Sequence, residues 1–451
     1  MAKILYWNIQ QFSINKINNP NTKRQTRSSL PSHVASTYRR NYIMGTMGAN
    51  PPDILVIVET STGAGDEGTL ITAGGQQVAL DLLNRLRSSP VFGPNWMLVP
   101  PVILGEGKLS EGISVYYNSA NLHFSGPFGW PGAPNCSGSL ITLGGVTNLV
   151  NYAAPWQNCL PATAVPAASN INPGINMNCL AGQWLFADTG NPANRLQFPG
   201  TGNRPPYLTT FWDAANNRTI KLLSYHAPPN HWPAANGTNQ LANVQEMTTN
   251  LAANEVGVIV GDFNVDLFDH FYEPLAYNNL IGPAGYTRQI NPTAAVWPDK
   301  GYVSTHIKLG NQAKPWYTNG YPGYSYTGSN PKFQGYDSID NILTRYGAAA
   351  GGGQPSNITI INRVTGTPYN MDPNPPVGVP AGHYAYTTCM SQFAMGPNAG
   401  LPIALPLPTN GPTGVGGVRP GTIGGLSQFR GWDNYGHIRS TSDHFALIVD
   451  I

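Results

Sequence analysis

Apolar and polar positions alternate between legible and illegible stretches along the chain. Ile4–Ile9 reads as a strand, and a basic, polar loop runs from it to about Leu30. A helix is expected over His33–Met47, with Val34, Tyr38 and Tyr42 on one face. After Pro51-Pro52, Asp53–Glu59 is an unbroken apolar run closed by a carboxylate. Gln76–Arg87 has helical spacing, with Val78, Leu82, Leu83 and Leu86 on the core face. Strands are expected near Trp96–Ile103 and Gly112–Tyr117. The pattern then lapses from about Gly126 to Gly200. It resumes as strands at Pro206–Trp212 and Thr219–His226, a helix over Gln240–Leu251, and strands at Val256–Val260 and Asp337–Thr344. It lapses again from Ala348 to about Gly431, and His444–Ile451 is a last strand. This order predicts an α/β fold, a sandwich of two sheets flanked by helices. It is expected to be one domain over residues 1–451, with two long Gly/Pro-rich insertions at about 126–200 and 348–431.

Composition fits a core interrupted by loops. Of the 451 residues 41% are hydrophobic, and Gly (51) and Pro (41) are abundant. Charged residues are only 10%, against about 25% in an average soluble domain. The net charge of +2 implies no polyanion partner by itself, so any nucleic-acid contact must be a local patch. Lys23, Arg24, Arg27, Arg39 and Arg40 form one candidate, with Arg204 elsewhere; a solvated basic face explains them equally well. Cys136, Cys159, Cys179 and Cys389 lack zinc spacing, and any disulfide pairing among them stays open. No run approaches about 18 apolar residues, so no membrane span is expected. The N-terminus opens as a strand without the apolar core of a secretory signal. The expected location is therefore cytoplasmic, or outside the cell by a signal-less route or as a mature form given a new start Met. The low charge resembles exported proteins.

The chemistry is suggested by where the apolar runs stop. Ile4–Trp7 stops at Asn8, Ile54–Val58 at Glu59, and Leu222–Tyr225 at His226. Val258–Gly261 stops at Asp262, with Asn264 two residues on, and the final strand starts at Asp443-His444. A carboxylate or imidazole at the end of a buried strand is costly unless paired or metal-bound. If the last strand runs opposite to the others, all these ends meet at one edge. Oxygen donors without thiolates suit Mg²⁺ or Mn²⁺, and two histidines can share acid and base work. Each residue also has a plainer reading. Gly261-Asp262-Phe263-Asn264 is ordinary turn chemistry, Glu59 a cap or an arginine partner, and His226 a core histidine bonded to backbone. Asp443 and His444 can be a loop entering a strand, while Asp340 inside Ile339–Leu343 needs a partner.

Taken in order, Trp7-Asn8-Ile9, Ile57-Val58-Glu59, Tyr225-His226, Gly261-Asp262-Phe263-Asn264, Ile339-Asp340 and Ser442-Asp443-His444 resemble the endonuclease/exonuclease/phosphatase superfamily. The resemblance spans Asn8 to His444 and skips the two insertions. It implies a deoxyribonuclease I-like sandwich with Glu59 and Asn8 as Mg²⁺ (or Mn²⁺) ligands and Asp443 as a further metal or phosphate ligand. It also implies Asp262 and Asn264 orienting nucleophile and phosphate, His444 catalytic and held by Asp340, and His226 as the second histidine. Glu111 resembles the Glu that partners that histidine in the deoxyribonuclease I-like branch, and Arg204 resembles a phosphate-contacting Arg.

The implied activity is metal-dependent phosphodiester hydrolysis by an in-line water, with DNA as the first candidate substrate and RNA as the second. A phospholipid headgroup is the alternative, for which Trp130, Trp156 and Trp184 would supply membrane-facing aromatics. A non-catalytic binding module on the same fold ranks last. Oligomeric state is left open.

Overall fold

The structure, a computed structural model, describes residues 1–20, 32–48, 50–65, 70–105, 107, 110–126, 155–156, 159, 183–184, 204–248, 251–267, 269, 271–291, 305–306, 338–350, 358–361 and 440–451. The rest of both Gly/Pro-rich stretches, with Lys23, Arg24, Arg27, Trp130, Cys136, Cys179 and Cys389, lies outside these residues.

Strand β1 (Lys3–Phe12) leads into the short helix α1 (Ile14–Asn18) and helix α2 (Ser32–Gly48). Strand β2 (Ile54–Thr60), helix α3 (Ala73–Ser88), and strands β3 (Trp96–Val99), β4 (Ile103–Leu104), β5 (Glu111–Asn118) and β6 (Leu122–Gly126) follow. After β7 (Gln183–Trp184) come β8 (Tyr207–Asp213), β9 (Arg218–His226), helix α4 (His231–Gln240) and β10 (Glu255–Asp262). Helix α5 (Tyr272–Ile281) and strands β11 (Thr287–Arg288), β12 (Asp340–Tyr346), β13 (Thr359–Ile361) and β14 (Ala446–Asp450) complete the chain.

These strands form two sheets, in the orders β13-β14-β1-β2-β5-β3 with β4 on β5, and β11-β12-β10-β9-β8-β6 with β7 on β8. The α/β sandwich expected from the apolar pattern is therefore present. Each sheet has one parallel pair at its centre, β1 with β2 and β9 with β10; the other pairings are antiparallel. The central strands carry continuous Ile, Leu and Val because they are covered on both faces. Ile4, Leu5, Ile54–Val58, Leu222, Leu223 and Val258–Val260 are all fully buried. β14 runs antiparallel to β1, so its start lies at the same edge as the ends of β1 and β2.

The structure departs from the pattern in several places, among them the strand expected over Trp96–Ile103, which is split into β3 and β4. The helix expected over Gln240–Leu251 is instead α4 followed by two 3-10 turns, Leu241–Asn243 and Gln245–Met247. Leu241, Val244 and Met247 are buried and spaced by three, the period of a 3-10 helix. Helix α5 shows no clean stripe in the sequence because Leu275 and Ile281 face solvent while Ala276, Tyr277 and Leu280 are buried. The Gly/Pro-rich stretches also donate structure. β7 pairs with β8, β13 pairs with β14, and Cys159, a buried free thiol, accepts a backbone hydrogen bond from Leu98. Trp156 is buried in the core, which removes it as a membrane-facing aromatic.

The basic stretch is likewise partly internal. Arg39 is 1% exposed and donates to Ser440 Oγ and the carbonyls of Ile17 and Asn19, while Arg40 pairs with Asp81 at 3.0 Å. These two guanidinium groups tie α1, α2 and α3 together and do not form a phosphate-binding face. Among the described residues no helix is long and apolar enough to cross a membrane.

Candidate active site

Register places three of the candidate residues in one row. Asp262, the last residue of β10, pairs with His226 of β9 on one side and Asp340 of β12 on the other. Paired positions on neighbouring strands share a sheet face, so these side chains converge without any loop to position them. The turn after β10 depends on its flanking residues. A Cβ on Gly261 would lie 2.3 Å from the Tyr225 carbonyl oxygen, so only glycine lets β10 pass β9 there. Asn264 takes a left-handed backbone (φ +50°), its N–H donates to Asp262 Oδ1 at 3.0 Å, and its side-chain amide donates to Ala227 O at 2.9 Å.

The other sheet brings Asn8 and Glu59 to the same edge. The β1–β2 register shifts between Asn8 and Phe12 and the β2–β5 register between Ile57 and Thr60, irregularities that interrupt both pairings around Glu59. Glu59 sits in it with φ +60°, a strained backbone for a non-glycine residue. The strain is held by side-chain bonds. Asn8 Nδ2 donates to Glu59 Oε1 and Asp262 Oδ2, both at 3.0 Å, and Gln11 N–H donates to Glu59 Oε2 at 2.9 Å. Burial opposes the charge on Glu59, but His226, the Asn8 amide and Gln11 outweigh it and hold its pKa below the usual value.

Two histidines face Asp262 from either side. His444 Nε2 lies 3.7 Å and His226 Nε2 3.6 Å from Asp262 Oδ2. Each is anchored through Nδ1 by its own carboxylate: His444 to Asp340 at 2.8 Å, His226 to Glu111 at 2.8 Å. Such a bond fixes which ring nitrogen carries the outward function. Burial works against a charged His444, but Asp340, Asp262 and Asp443 outweigh it and lift its pKa to about 10. Burial and Arg204 oppose charge on His226, yet Glu111 and Asp262 prevail and raise its pKa. The pKa of Asp262 is raised by burial and by Asp340, against the pull of the two histidines.

Arg204 donates to Glu111 Oε2 (2.9 Å), Ala227 O (3.0 Å) and His226 O (3.3 Å). It is a buried strut of the His226 pair. Asp443 Oδ1 lies 3.9 Å from the same His444 Nε2 that faces Asp262.

Three participants were not singled out from sequence. Tyr6, two residues before Asn8 on β1, donates its hydroxyl to Asp340 Oδ1 at 3.1 Å. Ser442 Oγ donates to Asn8 O and accepts from His444 N–H, which explains the serine of the Ser-Asp-His run. His306 sits beside His444, with ring centroids 4.7 Å apart. The i−2 spacing of Tyr6 from Asn8 was a usable signal; nothing around His306 in the sequence marks it.

The site suits a hard divalent cation. Asn8 Oδ1 is fully buried and accepts no hydrogen bond, and the Glu59 carboxylate shares the same amide group. Two carboxylates on Nδ2 fix the amide orientation, so the unsatisfied oxygen is an inward-facing donor of the kind Mg²⁺ or Mn²⁺ takes. His444 with Asp262 and Asp340 is a second group whose ligand atoms lie within 4.8 Å of one another.

The profile of the Endonuclease/Exonuclease/phosphatase family matches residues 5–361. The chain belongs to this family. As a member of the Endonuclease/Exonuclease/phosphatase family it falls among hydrolases that in general depend on divalent metals. No curated protein sequence matches the chain. Among solved structures it is similar to D. rerio TDP2 complexed with a single-strand DNA product (9% identity, 100% of this chain, 99% of that one, TM-score 0.39). It is also similar to beta toxin of Staphylococcus aureus (10% identity, 100% and 99%, TM-score 0.39). A third is the human Nocturnin catalytic domain with a bound sulfate anion (12% identity, 76% and 82%, TM-score 0.35).

Proposed function

We propose that this protein is a Mg²⁺- or Mn²⁺-dependent phosphodiesterase that hydrolyses nucleic acid, most simply DNA. The observation that carries the reading is the pair of histidine–carboxylate dyads converging on one carboxylate, Asp262, beside the Asn8–Glu59 pair. Hydrolysis of a phosphodiester needs a base for water, positive charge at the non-bridging oxygens and an acid for the leaving oxygen.

Asp262 is the base: it takes a proton as the water oxygen bonds to phosphorus. The pKa of His444, at about 10, makes it a standing cation at neutral pH, suited to polarising the phosphate and unsuited to accepting a proton. His226, held by Glu111, gives its proton to the leaving oxygen as the P–O bond breaks. Asn264 orients the phosphate, and Arg204 keeps the Glu111–His226 pair in place. A divalent cation on Glu59 and the Asn8 amide oxygen, with Asp443 as a further acidic neighbour, would add charge stabilisation at a phosphate oxygen.

Nucleic acid is preferred over a phospholipid headgroup because Glu111 pairs with His226, as the deoxyribonuclease I-like resemblance implies, and because Trp156 is buried. The test is incubation with supercoiled plasmid in Mg²⁺ or Mn²⁺, beside EDTA and His444→Ala controls. Nicking that requires both metal and His444 is the expected result. Intact DNA under every condition, with phosphocholine released from sphingomyelin, would transfer the chemistry to the lipid substrate.

A further inference from the structure

A second set of donors stands beyond His444. Thr305 anchors it: its hydroxyl accepts from the N–H groups of Ile339 and Asp340, each at 3.1 Å, and its carbonyl accepts from Phe445 N–H at 2.7 Å. The chain then forms an isolated bridge from His306 to His444. The Asp443 carboxylate approaches Nε2 of both rings, Oδ2 at 3.7 Å from His306 and Oδ1 at 3.9 Å from His444.

These separations are longer than a hydrogen bond, which ends near about 3.2 Å. They lie within the reach of two ligands on one ion, because donors about 2.1 Å from a zinc ion are at most about 4.2 Å apart. One donor atom from each of His306, Asp443 and His444 falls within a 4.8 Å spread, so a sub-ångström closure brings all three onto one ion. The donor chemistry is selective. Two imidazoles and a carboxylate, with a position left for water, form a zinc set, whereas Mg²⁺ takes oxygen ligands and sheds its water reluctantly. His306, at 15% side-chain exposure, leaves a path from solvent, and the proposed hydrolysis makes no use of it.

We propose that His306, Asp443 and His444 form a binding site for a Zn²⁺-class transition-metal ion, with two imidazoles that the hard-cation position at Glu59 and Asn8 does not use, and that its occupation inhibits hydrolysis by displacing the proton of His444 Nε2 to solvent and capturing that nitrogen. The binding rests on this geometry alone; the inhibition rests also on the role given to His444 under Proposed function.

The test is a Co²⁺ titration of the metal-free full-length protein in excess Mg²⁺, followed by visible d–d absorption and competition with Zn²⁺. One Zn²⁺-displaceable equivalent with a low-symmetry, nitrogen-ligated spectrum is expected. Its affinity should fall at least about tenfold in His306→Ala and in the near-isosteric His306→Gln. Unchanged thermal melting in His306→Gln separates loss of a ligand from loss of the fold. Absence of a displaceable Co²⁺ spectrum in the natural chain, or equal affinity in the folded His306→Gln variant, would overturn the site. For the second half, Zn²⁺ is titrated into Mg²⁺-supported plasmid nicking, each variant scaled to its own zinc-free rate. A rise of about tenfold or more in the inhibitory Zn²⁺ concentration in His306→Gln is expected. Zinc bound by the spectroscopic criterion with nicking unaffected overturns the inhibitory link and leaves the site. Failure of nicking with every metal overturns the nuclease reading and leaves the Co²⁺ result as it stands.

Discussion

The two histidine dyads are built alike and placed unlike. His226 ends β9 in one sheet and takes its partner, Glu111, from the start of β5 in the other. His444 precedes β14 in that other sheet and takes Asp340 from the start of β12 in the first. Each dyad therefore crosses the sandwich, and separating the sheets would dismantle both. Their surroundings differ. Arg204 bonds to Glu111 and opposes charge on His226, whereas His444 is surrounded by Asp340, Asp262 and Asp443 with the Tyr6 hydroxyl behind. The same pairing thus sits among carboxylates on one side, where the pKa is lifted to about 10, and beside an opposing guanidinium on the other, where it is also raised. One carboxylate between them is served by a charge clamp and a proton donor.

The comparison breaks most directly at the rings. His444→Ala and His226→Ala should each lower the plasmid-nicking rate about 10²–10⁴-fold. The two losses should differ in pH dependence. The residual rate of His444→Ala keeps an alkaline limb set by His226, while that of His226→Ala loses it, because no proton donor remains to titrate. Equal profiles from the two variants would mean that the dyads do not divide the work. The partner carboxylates come next: Asp340→Asn and Glu111→Gln should cost about 10–100-fold, since the rings remain and lose only their orientation. Glu111→Gln also leaves Arg204 without its ion-pair partner, so its thermal midpoint should fall further than that of Asp340→Asn.

Much of this arrangement could be read from the sequence because strands buried on both faces leave polar residues conspicuous where they end. Glu59, His226 and Asp262 sit at such ends, Asn8 sits where the β1 register shifts, and register alone aligns His226, Asp262 and Asp340. The apolar pattern alone does not record contact between sheets, and the two dyads that cross the sandwich are legible only through the family resemblance. Arg204 is visible as a cation, but its bonds to Glu111 and to the carbonyls of His226 and Ala227 follow from the way β5 meets β9. Thr305 and His306 are brought in by backbone bonds to β12 and Phe445, and no local period records such a bond. Helix α5 escaped because its exposed Leu275 and Ile281 blur the stripe that Ala276, Tyr277 and Leu280 would otherwise make.

A smaller effect sharpens the comparison through stability. The folded pKa of His444, at about 10, lies above its unfolded value of about 6.5. The stabilisation this represents is complete below about pH 6.5 and is lost as pH rises through about 10. In EDTA the thermal midpoint should therefore fall between those two values. The slope should be shallower in Asp340→Asn, which removes the largest charge favouring the imidazolium. His226 contributes in the same direction but less steeply, because Arg204 offsets part of its gain. An identical slope in the natural chain and in Asp340→Asn would place the pH dependence elsewhere, for example in buried tyrosines.

The smallest expected effect tests whether the His444 side is tuned from behind. Tyr6 is fully buried, and its hydroxyl reaches Asp340 Oδ1 while Asp340 Oδ2 holds His444 Nδ1. Tyr6→Phe keeps the ring and deletes that one donor, so stability should drop by about 1 kcal/mol. Nicking should slow by no more than about tenfold, since an outer-shell bond is lost while ring, carboxylate and Asp262 stay in place. The direction of the pH response is the informative part. Without the Tyr6 hydroxyl, Asp340 carries more of its charge towards His444, which raises the imidazole pKa further and moves the stability loss described above to higher pH. A shift to lower pH, or a loss of activity as large as that of His444→Ala, would mean that Tyr6 holds the geometry of the dyad and does not merely share its charge.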